Sequence, residues 1–504
     1  MLSRLQYIKI NIGYGLTSRI LALILEFISR YYFIKFLGNE ILGITNVFVN
    51  ILQVLSLAEL GLNNVAMYSY YKPLAQQDFK KLSALNTFFE AIYNRIAFVI
   101  LFFGLVILPF IHLIINLEHS NYNIYWMFFL FLLDSVFSYF FIYKTIILSA
   151  AQKSYIISLY DMVCNTVRTI LQIFVLIEFK SFTLFFILKI IFTVISNVLK
   201  VRKVNLEFPN LKKSKVQISK SEKSEIISTL KSGLVYKLSG VLLNGTDNII
   251  ISTIVGTIYV GFLSNYTIIA TSIMSFVVII FSSMTSSVGN ILHTEDRSVL
   301  LRSFEKIQSI ANWLSIVLFL CLYFLSSDFI KLWLGETFVM SNDIVLFSSL
   351  TYYISCFLQP IYIYREATGL FTKTKYVMLI TAILNIILSF IFGYYMGVAG
   401  VLLASIVSRL LTYFWYEPLV LFKDIFSSSS IRYFIEVFKN MSMASILIVV
   451  INFIPFKVDS WWDWTYKGGI IFFISNICSF TLYRNTLGIN FAMLRRVIKG
   501  KLKG

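Results

Sequence analysis

The chain has 504 residues, of which 58% are hydrophobic and only 13% are charged. Soluble proteins carry roughly 25% charged residues, so this chain has too few charges to cover a water-soluble particle of its size. The formal net charge of +18 does not indicate nucleic-acid binding, because the basic residues lie in short segments between apolar runs. We therefore expect a membrane protein without a nucleic-acid partner.

Apolar runs of bilayer length follow one another along the whole chain, and each predicts a membrane-spanning helix. The first run is too long for the core of a signal peptide, so we expect it to be a spanning helix as well. The pattern predicts an all-α integral membrane protein with about 14 transmembrane helices. The predicted spans are residues 10–36, 41–67, 85–115, 124–148, 155–178, 181–200, 227–254, 258–290, 307–333, 341–364, 375–395, 397–421, 433–455 and 467–485.

Lysine and arginine residues are concentrated in alternate loops. About thirty-one of the 43 lie on one side of the predicted membrane, and about five lie on the other. The positive-inside rule assigns the basic side to the cytoplasm, so we expect both termini to be cytoplasmic. This arrangement requires an even number of spans, as predicted.

A basic polar stretch between the sixth and seventh spans divides the chain into two halves. The predicted organisation has an N-terminal six-helix lobe over residues 1–200 and a basic cytoplasmic linker over 201–226. A second six-helix lobe follows over residues 227–424, and residues 425–504 provide two extra helices and a basic tail.

The two halves contain an internal repeat. With a shift of 218 residues and no gap, the region that begins at Gly15 lies over the region that begins at Gly233. We expect the matched glycines to permit a tight turn between two long helices. Because an even number of spans separates the copies, a pseudo-twofold axis along the membrane normal is predicted. The matched pairs are Gly15 with Gly233, Arg19 with Lys237, Gly38 with Gly256, and Gly43 with Gly261.

Several cations lie inside the apolar runs, where a charged side chain costs roughly 3 kcal/mol or more at the bilayer centre. Each is therefore expected to face a polar cavity or a charged partner. Arg19 and Lys237 are equivalent in the repeat, and neither has an acidic residue within reach on its own helix. We expect both to face one central cavity that binds a phosphate or pyrophosphate. The full set is Arg19, Arg30, Arg95, Arg168, Lys189, Lys237 and Arg409.

Three further cations are candidates for the pyrophosphate site, each with an alternative. Arg30 follows Glu26 by four residues, so these two side chains either neutralise each other or take part in transport. For Arg168, and likewise for Lys189, the alternative to lining the pathway is a salt bridge to Asp134 or Asp161. Arg95 is the third of these candidates.

Two intramembrane carboxylates are candidates for ion coupling, because such groups often relay protons or cations. They are Asp247 and Glu26. The alternative for Asp247 is a structural salt bridge to a cation on a neighbouring helix.

The motifs of soluble enzymes are missing from the sequence. It contains no Walker-type loop, no dinucleotide-binding glycine pattern and no His-Glu-x-x-His, and the three histidines are scattered. The four cysteines lack the spacing of metal ligands. We therefore expect no cofactor, no metal and no enzymatic activity, and we expect transport to be driven by an ion gradient or by the substrate's own gradient.

The segment from Phe27 to Asp78 resembles the opening of bacterial polysaccharide-repeat (Wzx-type) flippases. These flippases belong to the MOP superfamily, which also contains the multidrug-and-toxin (MATE) extruders and the lipid II flippase. The predicted span count and the division into two halves agree with this resemblance. The residues that carry it are Arg30, Leu37–Gly38, Gly43, Ser56–Gly61, Tyr68–Ala75 and Thr246–Ser252.

The resemblance implies a flippase for O-antigen or capsule polysaccharide in the bacterial cytoplasmic (inner) membrane. Its substrate would be an undecaprenyl-pyrophosphate-linked oligosaccharide repeat unit, moved from the inner to the outer leaflet by alternating access. The implied partners are this lipid-linked oligosaccharide, membrane lipids and polysaccharide assembly proteins. The resemblance also implies a cationic cavity between the halves, where Arg19 and Lys237 suit pyrophosphate binding.

Two other functions compete with this hypothesis. A multidrug or cation extruder of the same superfamily would more often present acids and aromatic rings than cations to its substrate. A membrane-embedded polysaccharide polymerase would usually carry a longer extramembrane loop or an acidic metal-binding motif, and the sequence shows neither.

Overall fold

A computed structural model describes residues 4–56, 61–117, 122–211 and 218–487 of the chain. All regular secondary structure in these ranges is helical. The chain divides into two units, Met1–Gly261 and Phe262–Gly504. The first unit therefore contains the predicted linker and also the beginning of the predicted second lobe.

The first unit is built around long apolar helices that pack side by side. The helix α1 lies along α7, and α6 lies between α4 and α8. The helices of this unit are α1 (Arg4–Leu37), α2 (Asn39–Leu55), α3 (Leu62–Ala75), α4 (Phe79–Ile107), α5 (Ile111–Ile114), α6 (Ile124–Ala150), α7 (Ser154–Phe179), α8 (Phe182–Glu207), α9 (Lys220–Gly245), α10 (Asp247–Ile254) and the first turn of α11 (Thr257–Ser282).

The second unit is arranged around one long helix, α13, which packs against α14, α18 and α19. After the remainder of α11, its helices are α12 (Thr285–Thr294), α13 (Arg297–Leu334), α14 (Asn342–Phe357), α15 (Gln359–Thr368), α16 (Phe371–Leu411), α17 (Tyr413–Leu421), α18 (Ile431–Asn452) and α19 (Trp461–Leu487).

Most predicted spans coincide with one helix, but some are broken. By length and composition, eight helices of the described ranges can cross a membrane, or nine if the bent pair α14 and α15 forms one span. The predicted span 41–67 is interrupted at Gly61, a left-handed residue directly before α3, and 227–254 is interrupted at Thr246, between α9 and α10. The predicted boundary between spans 375–395 and 397–421 is confirmed, because the backbone of α16 is not helical at Gly397, where φ is 60° and ψ is −137°.

Two of the repeated glycines make turns, as expected. Gly38 precedes α2 with φ of 89°, and Gly256 precedes α11 with φ of 136°. Side chains rarely allow these backbone conformations, so glycine is required there. The prediction of a turn is therefore right for this pair.

A second repeated pair, Gly43 and Gly261, has a different role, and the third pair, Gly15 and Gly233, lies inside α1 and α9 and not at a turn. A Cβ atom on Gly43 would overlap the carbonyl oxygen of Thr257, and one on Gly261 would overlap the carbonyl oxygen of Asn39. The shift of 218 residues maps Asn39 onto Thr257, so the contact is reciprocal. The Asn39 side chain also donates a hydrogen bond to the carbonyl of Ile258 at 3.0 Å. These glycines let α2 and the first turn of α11 meet backbone to backbone.

Substitution of Gly43 with alanine should therefore destabilise the protein. Forcing extra atoms into a packed contact costs about 1–3 kcal/mol, and here the opposing atom is a backbone oxygen that cannot rotate away. Gly15→Ala is the matched control, because a Cβ at this helical position meets open space. Thermal unfolding in detergent should show a lower midpoint for Gly43→Ala only, and equal midpoints would contradict the contact.

The two C-terminal helices attach to the second unit through a buried polar network. The Asn440 side chain on α18 donates to the carbonyl of Asn312 and to the hydroxyl of Tyr483, at 2.9 Å each. Its oxygen accepts a hydrogen bond from Tyr353. This one amide thus joins α18 to α13, α14 and α19.

A buried ion pair connects α15 and α17 in the second unit. Nη1 of Arg365 donates to both carboxylate oxygens of Glu417, at 2.6 and 2.7 Å. The two side chains are 7% and 2% exposed, so water hardly reaches them. The guanidinium also lies 4.7 Å from the ring centre of Tyr362. This pair is a structural connection that the sequence did not indicate.

Candidate functional site

A cavity of about 360 Å³ opens among helices α1, α2, α6, α7 and α8 of the first unit. Its volume lies within the range of ordinary ligand sites, about 300–1,000 Å³. Cationic, amide and aromatic side chains all line it. Such a lining suits a ligand with a polar, charged part and an apolar part.

Three cations line the cavity, one from each of three helices. Arg30 comes from α1, Arg168 from α7 and Lys189 from α8. Glu26, one helical turn before Arg30, is the one carboxylate among the described lining residues. The cavity therefore carries an excess of positive charge.

The acids close to this cavity are held by lysines. Lys189 forms an ion pair with Asp134 at 3.2 Å, and the Thr193 hydroxyl donates to the same carboxylate at 2.7 Å. Lys200 forms an ion pair with Asp161 at 2.5 Å. Both acids named as alternative partners of Arg168 are thus engaged elsewhere.

Arg168 is the least satisfied of the three cations. Its Nε atom is buried and has no hydrogen-bond partner among the described residues. Asp134 and Asp161 attract it electrostatically, but neither forms an ion pair with it in the described part of the chain. A half-buried guanidinium with unused donors is suited to binding an anion.

Arg30 differs, because Glu26 acts on it electrostatically from the preceding turn of α1. The two side chains therefore attract each other and both line the cavity, while a part in transport stays a prediction for both.

The polar face of α7 explains why Arg168 points into the cavity. Asn165, Thr169 and Gln172 line the same cavity as Arg168, and the four positions follow the i, i+3, i+4, i+7 pattern of one helical face. The Gln172 side chain donates to the carbonyl of Phe185 on α8 at 2.9 Å, which holds α7 and α8 together. These three residues were not predicted from the sequence, although their helical spacing indicated a polar face of α7 that includes Arg168.

Aromatic rings form the apolar wall. The rings of Phe131 and Phe186 lie 4.0 Å apart between centroids. The Lys189 ammonium lies 4.8 Å from the centre of Phe186 and 5.3 Å from that of Phe131. Lys189 is therefore fixed by both the rings and Asp134, and that carboxylate balances its charge.

Three of the predicted binding residues lie outside this cavity. Arg19 and Arg95 are exposed on α1 and α4. Lys237 on α9 is half-buried, and its ammonium lies so close to Gly61 that a Cβ there would overlap it. Gly61 has φ of 86° and begins α3 after the break that follows α2. Lys237 thus packs against the broken part of the second predicted span.

The predicted coupling residue Asp247 lies at a second break. It is the first residue of α10, directly after α9 ends. A helix N-terminus stabilises a carboxylate there. The next residue, Asn248, donates to the side chain of Asn50 on α2 at 2.9 Å. Interrupted spans of this kind often flank transport sites.

Solved structures of membrane transporters are similar to this chain. The lipid II flippase MurJ, in an inward closed conformation, matches with a TM-score of 0.64 and 18% identity, over 94% of this chain and 99% of MurJ. The MATE multidrug transporter DinF-BH, solved as a ligand complex, matches with 0.57 and 16%, over 83% and 97% of the two chains.

An inward-facing MATE family multidrug resistance transporter of the MOP superfamily matches with a TM-score of 0.54 and 13% identity, over 78% of this chain and 93% of the transporter. No protein-family model matches the chain, and no curated protein matches its sequence. These likenesses show the fold, so the predicted all-α, multi-pass membrane fold is confirmed.

Proposed function

We propose that this protein is a flippase that moves undecaprenyl-pyrophosphate-linked oligosaccharide repeat units from the inner to the outer leaflet of the bacterial cytoplasmic membrane. The repeat units would serve O-antigen or capsule synthesis, and transport would proceed by alternating access. One observation carries this proposal. Among the described lining residues of the cavity, three are cations, Arg30, Arg168 and Lys189, and one is a carboxylate, Glu26. Both termini would be cytoplasmic.

The unused donors of Arg168 favour a phosphate ester as the ligand. Arginine binds phosphate through two parallel hydrogen bonds, and such charge-assisted bonds are about twice as strong as neutral ones. Arg168 has the unused donors, whereas Lys189 is paired with Asp134 and Arg30 has Glu26 as its neighbour. A pyrophosphate would supply the acceptors that Arg168 lacks.

The remaining predicted contacts belong to the same proposal. Arg19, Arg95 and Lys237 would bind the substrate outside this cavity. Asp247 and Glu26 would couple translocation to a proton or sodium gradient.

The fold of MurJ supports a lipid-linked substrate, because MurJ is named a lipid II flippase. The MATE neighbours support transport but are named multidrug transporters. All three are transporters by name, which agrees with a non-enzymatic role.

A cationic drug extruder is the second candidate. The aromatic wall of Phe131 and Phe186 and the carboxylate of Glu26 would suit a flat organic cation. The likeness to DinF-BH, a multidrug transporter by name, agrees with this alternative. Three cations around the same space weigh against it, since each repels a positive ligand.

Reconstitution tests the two candidates side by side. The purified protein is placed in liposomes with a fluorescent undecaprenyl-pyrophosphate oligosaccharide, and quenching from outside reports the leaflet of the label. We expect label to cross only in vesicles with protein, with its rate changed by an imposed proton or sodium gradient. Accumulation of ethidium without movement of the lipid would replace the flippase with an extruder. Lengthened glycan chains would indicate a polymerase.

A further inference from the structure

A second and larger cavity lies apart from the site described above. It has a volume of about 660 Å³ and is formed by α3, the first turns of α4 and the first turns of α9, all in the first unit. Lys72 and Lys81 belong to the lysine- and arginine-rich side of the chain, which the positive-inside rule assigns to the cytoplasm. The cavity is therefore expected at the leaflet from which the proposed substrate starts.

One wall of this cavity is an ion pair between two helix starts. Lys81 on α4 binds Glu222 on α9, and both line the cavity. Each helix start is capped: the Asp78 carboxylate accepts from the backbone of Lys81 at 2.9 Å, and the Ser219 hydroxyl accepts from the backbone of Glu222 at 3.2 Å. The caps fix the backbone on both sides, so the pair can open through its side chains alone.

The two partners are unequal in their electrostatic surroundings. A carboxylate in the first turn of α9 is stabilised by the helix dipole, whereas a lysine in the first turn of α4 lies at the wrong end of its dipole. Lys81 is therefore stabilised by a neighbouring anion, which Glu222 supplies. The ammonium also lowers the pKa of the Glu222 carboxyl, so this carboxylate stays charged at neutral pH.

The facing wall supplies an unpaired cation and two rings. Lys72 lines the cavity, is exposed and has no ion pair among the described residues. Tyr68 and Tyr71 line it as well, and they are 77% and 46% exposed. Their centroids lie 6.4 Å apart at an interplanar angle of 82°. Exposed rings beside a cation suit a sugar joined to a phosphate, since the apolar face of a sugar packs on an aromatic ring.

We infer that this cavity is a loading site for the diphosphate and first sugar of the lipid-linked substrate. The incoming diphosphate binds Lys72 and displaces Glu222 from Lys81, while Tyr68 and Tyr71 contact the sugar. The inference rests on the function proposed above and adds a binding step before the substrate reaches the arginine-lined cavity.

Binding to the purified full-length protein in detergent tests this site. The probe is a fluorescent undecaprenyl-pyrophosphate oligosaccharide, and its dissociation constant is measured by thermophoresis. Lys81→Gln and Lys72→Gln should each weaken binding about tenfold, as expected for loss of a charge-assisted bond. Glu222→Gln should tighten it several-fold, because the competing carboxylate is gone. Lys80→Gln is the matched control, since Lys80 is exposed and is not part of the cavity lining.

The opposite effects of Lys81→Gln and Glu222→Gln separate competition from a structural role. If the ion pair only held α4 against α9, both variants would weaken binding alike, and the loading site would be wrong. Inorganic pyrophosphate and phosphatidylglycerol vesicles serve as competitors. If either competitor displaced the probe at a concentration equal to that of the probe, the assignment to a lipid-linked diphosphate would be overturned.

The translocation assay separates this inference from the proposed function. If wild-type protein moves the lipid but the lysine and glutamate variants bind it equally, the flippase stands and the loading site falls. If wild-type protein binds the probe with the expected dependence on Lys81 and Glu222 but moves no lipid, the binding site stands and the flippase falls.

Discussion

Replacing Arg168 with glutamine should slow translocation of the undecaprenyl-pyrophosphate glycan at least about tenfold. A hydrogen bond to a charged group contributes about 1.5–3 kcal/mol, and about 1.4 kcal/mol corresponds to a factor of ten. The fold should survive, because Asp134 and Asp161 keep their lysine partners and no carboxylate loses its counter-charge. Initial rates in proteoliposomes, with unfolding midpoints measured in parallel, check both parts.

Two further variants sharpen the test of Arg168. Arg168→Lys keeps the charge but loses the paired donors, so its rate should lie between those of the wild type and Arg168→Gln. Arg202→Gln is the matched control, because Arg202 is exposed near the end of α8 and does not line the cavity. A wild-type rate for Arg168→Gln would remove this arginine from substrate binding.

Truncating Glu417 to alanine should give the largest loss of stability in the second unit. Removing one partner of a buried ion pair costs about 3–5 kcal/mol, because the other charge stays buried without compensation. Arg365 makes two hydrogen bonds to this carboxylate, and both side chains are buried. We expect a large drop in the thermal midpoint of the detergent-solubilised protein, seen by loss of the monodisperse peak in size exclusion.

Exposed and apolar variants give the controls for Glu417. Glu436 pairs with Lys439 on the surface of α18, with side chains 35% and 51% exposed. Glu436→Ala should therefore cost less than about 1 kcal/mol. The double variant Arg365→Met with Glu417→Leu should recover most of the stability, because no charge is left buried. If Glu417→Ala and Glu436→Ala had the same thermal midpoint, the buried ion pair would contribute no more to stability than the exposed one.

The sequence predicts the helices well because bilayer-length apolar runs have few other solutions. It does not predict the breaks inside a continuous apolar span, since hydropathy does not report backbone angles. The predicted span 41–67 reads as continuous, yet Gly61 adopts a left-handed conformation and starts a new helix. At Gly397, by contrast, the predicted boundary between two spans is right, because this glycine has a non-helical backbone and divides α16 into two parts.

The candidate site was only partly predictable, because its residues come together through the packing of helices that are distant in the sequence. Arg30 and Arg168 were both chosen as intramembrane cations, but only the packing of α1 along α7 brings them to one cavity. The choice of Arg19 and Lys237 rested on the repeat, which reports equivalence and not proximity. The ion pair of Lys81 with Glu222 joins a residue of the first predicted lobe to a residue of the predicted linker, and no local pattern indicates it.

The reciprocal contact of Gly43 and Gly261 also limits which substitutions this sequence can accept during evolution. Gly43 faces the backbone oxygen of Thr257, and Gly261 faces the backbone oxygen of Asn39. A backbone oxygen is present whatever residue occupies these two positions. A change of neighbouring side chains therefore cannot make room for a methyl group at either glycine. Both positions should remain glycine in descendants of this chain, even where the side chains of its cavities are exchanged to suit another cargo.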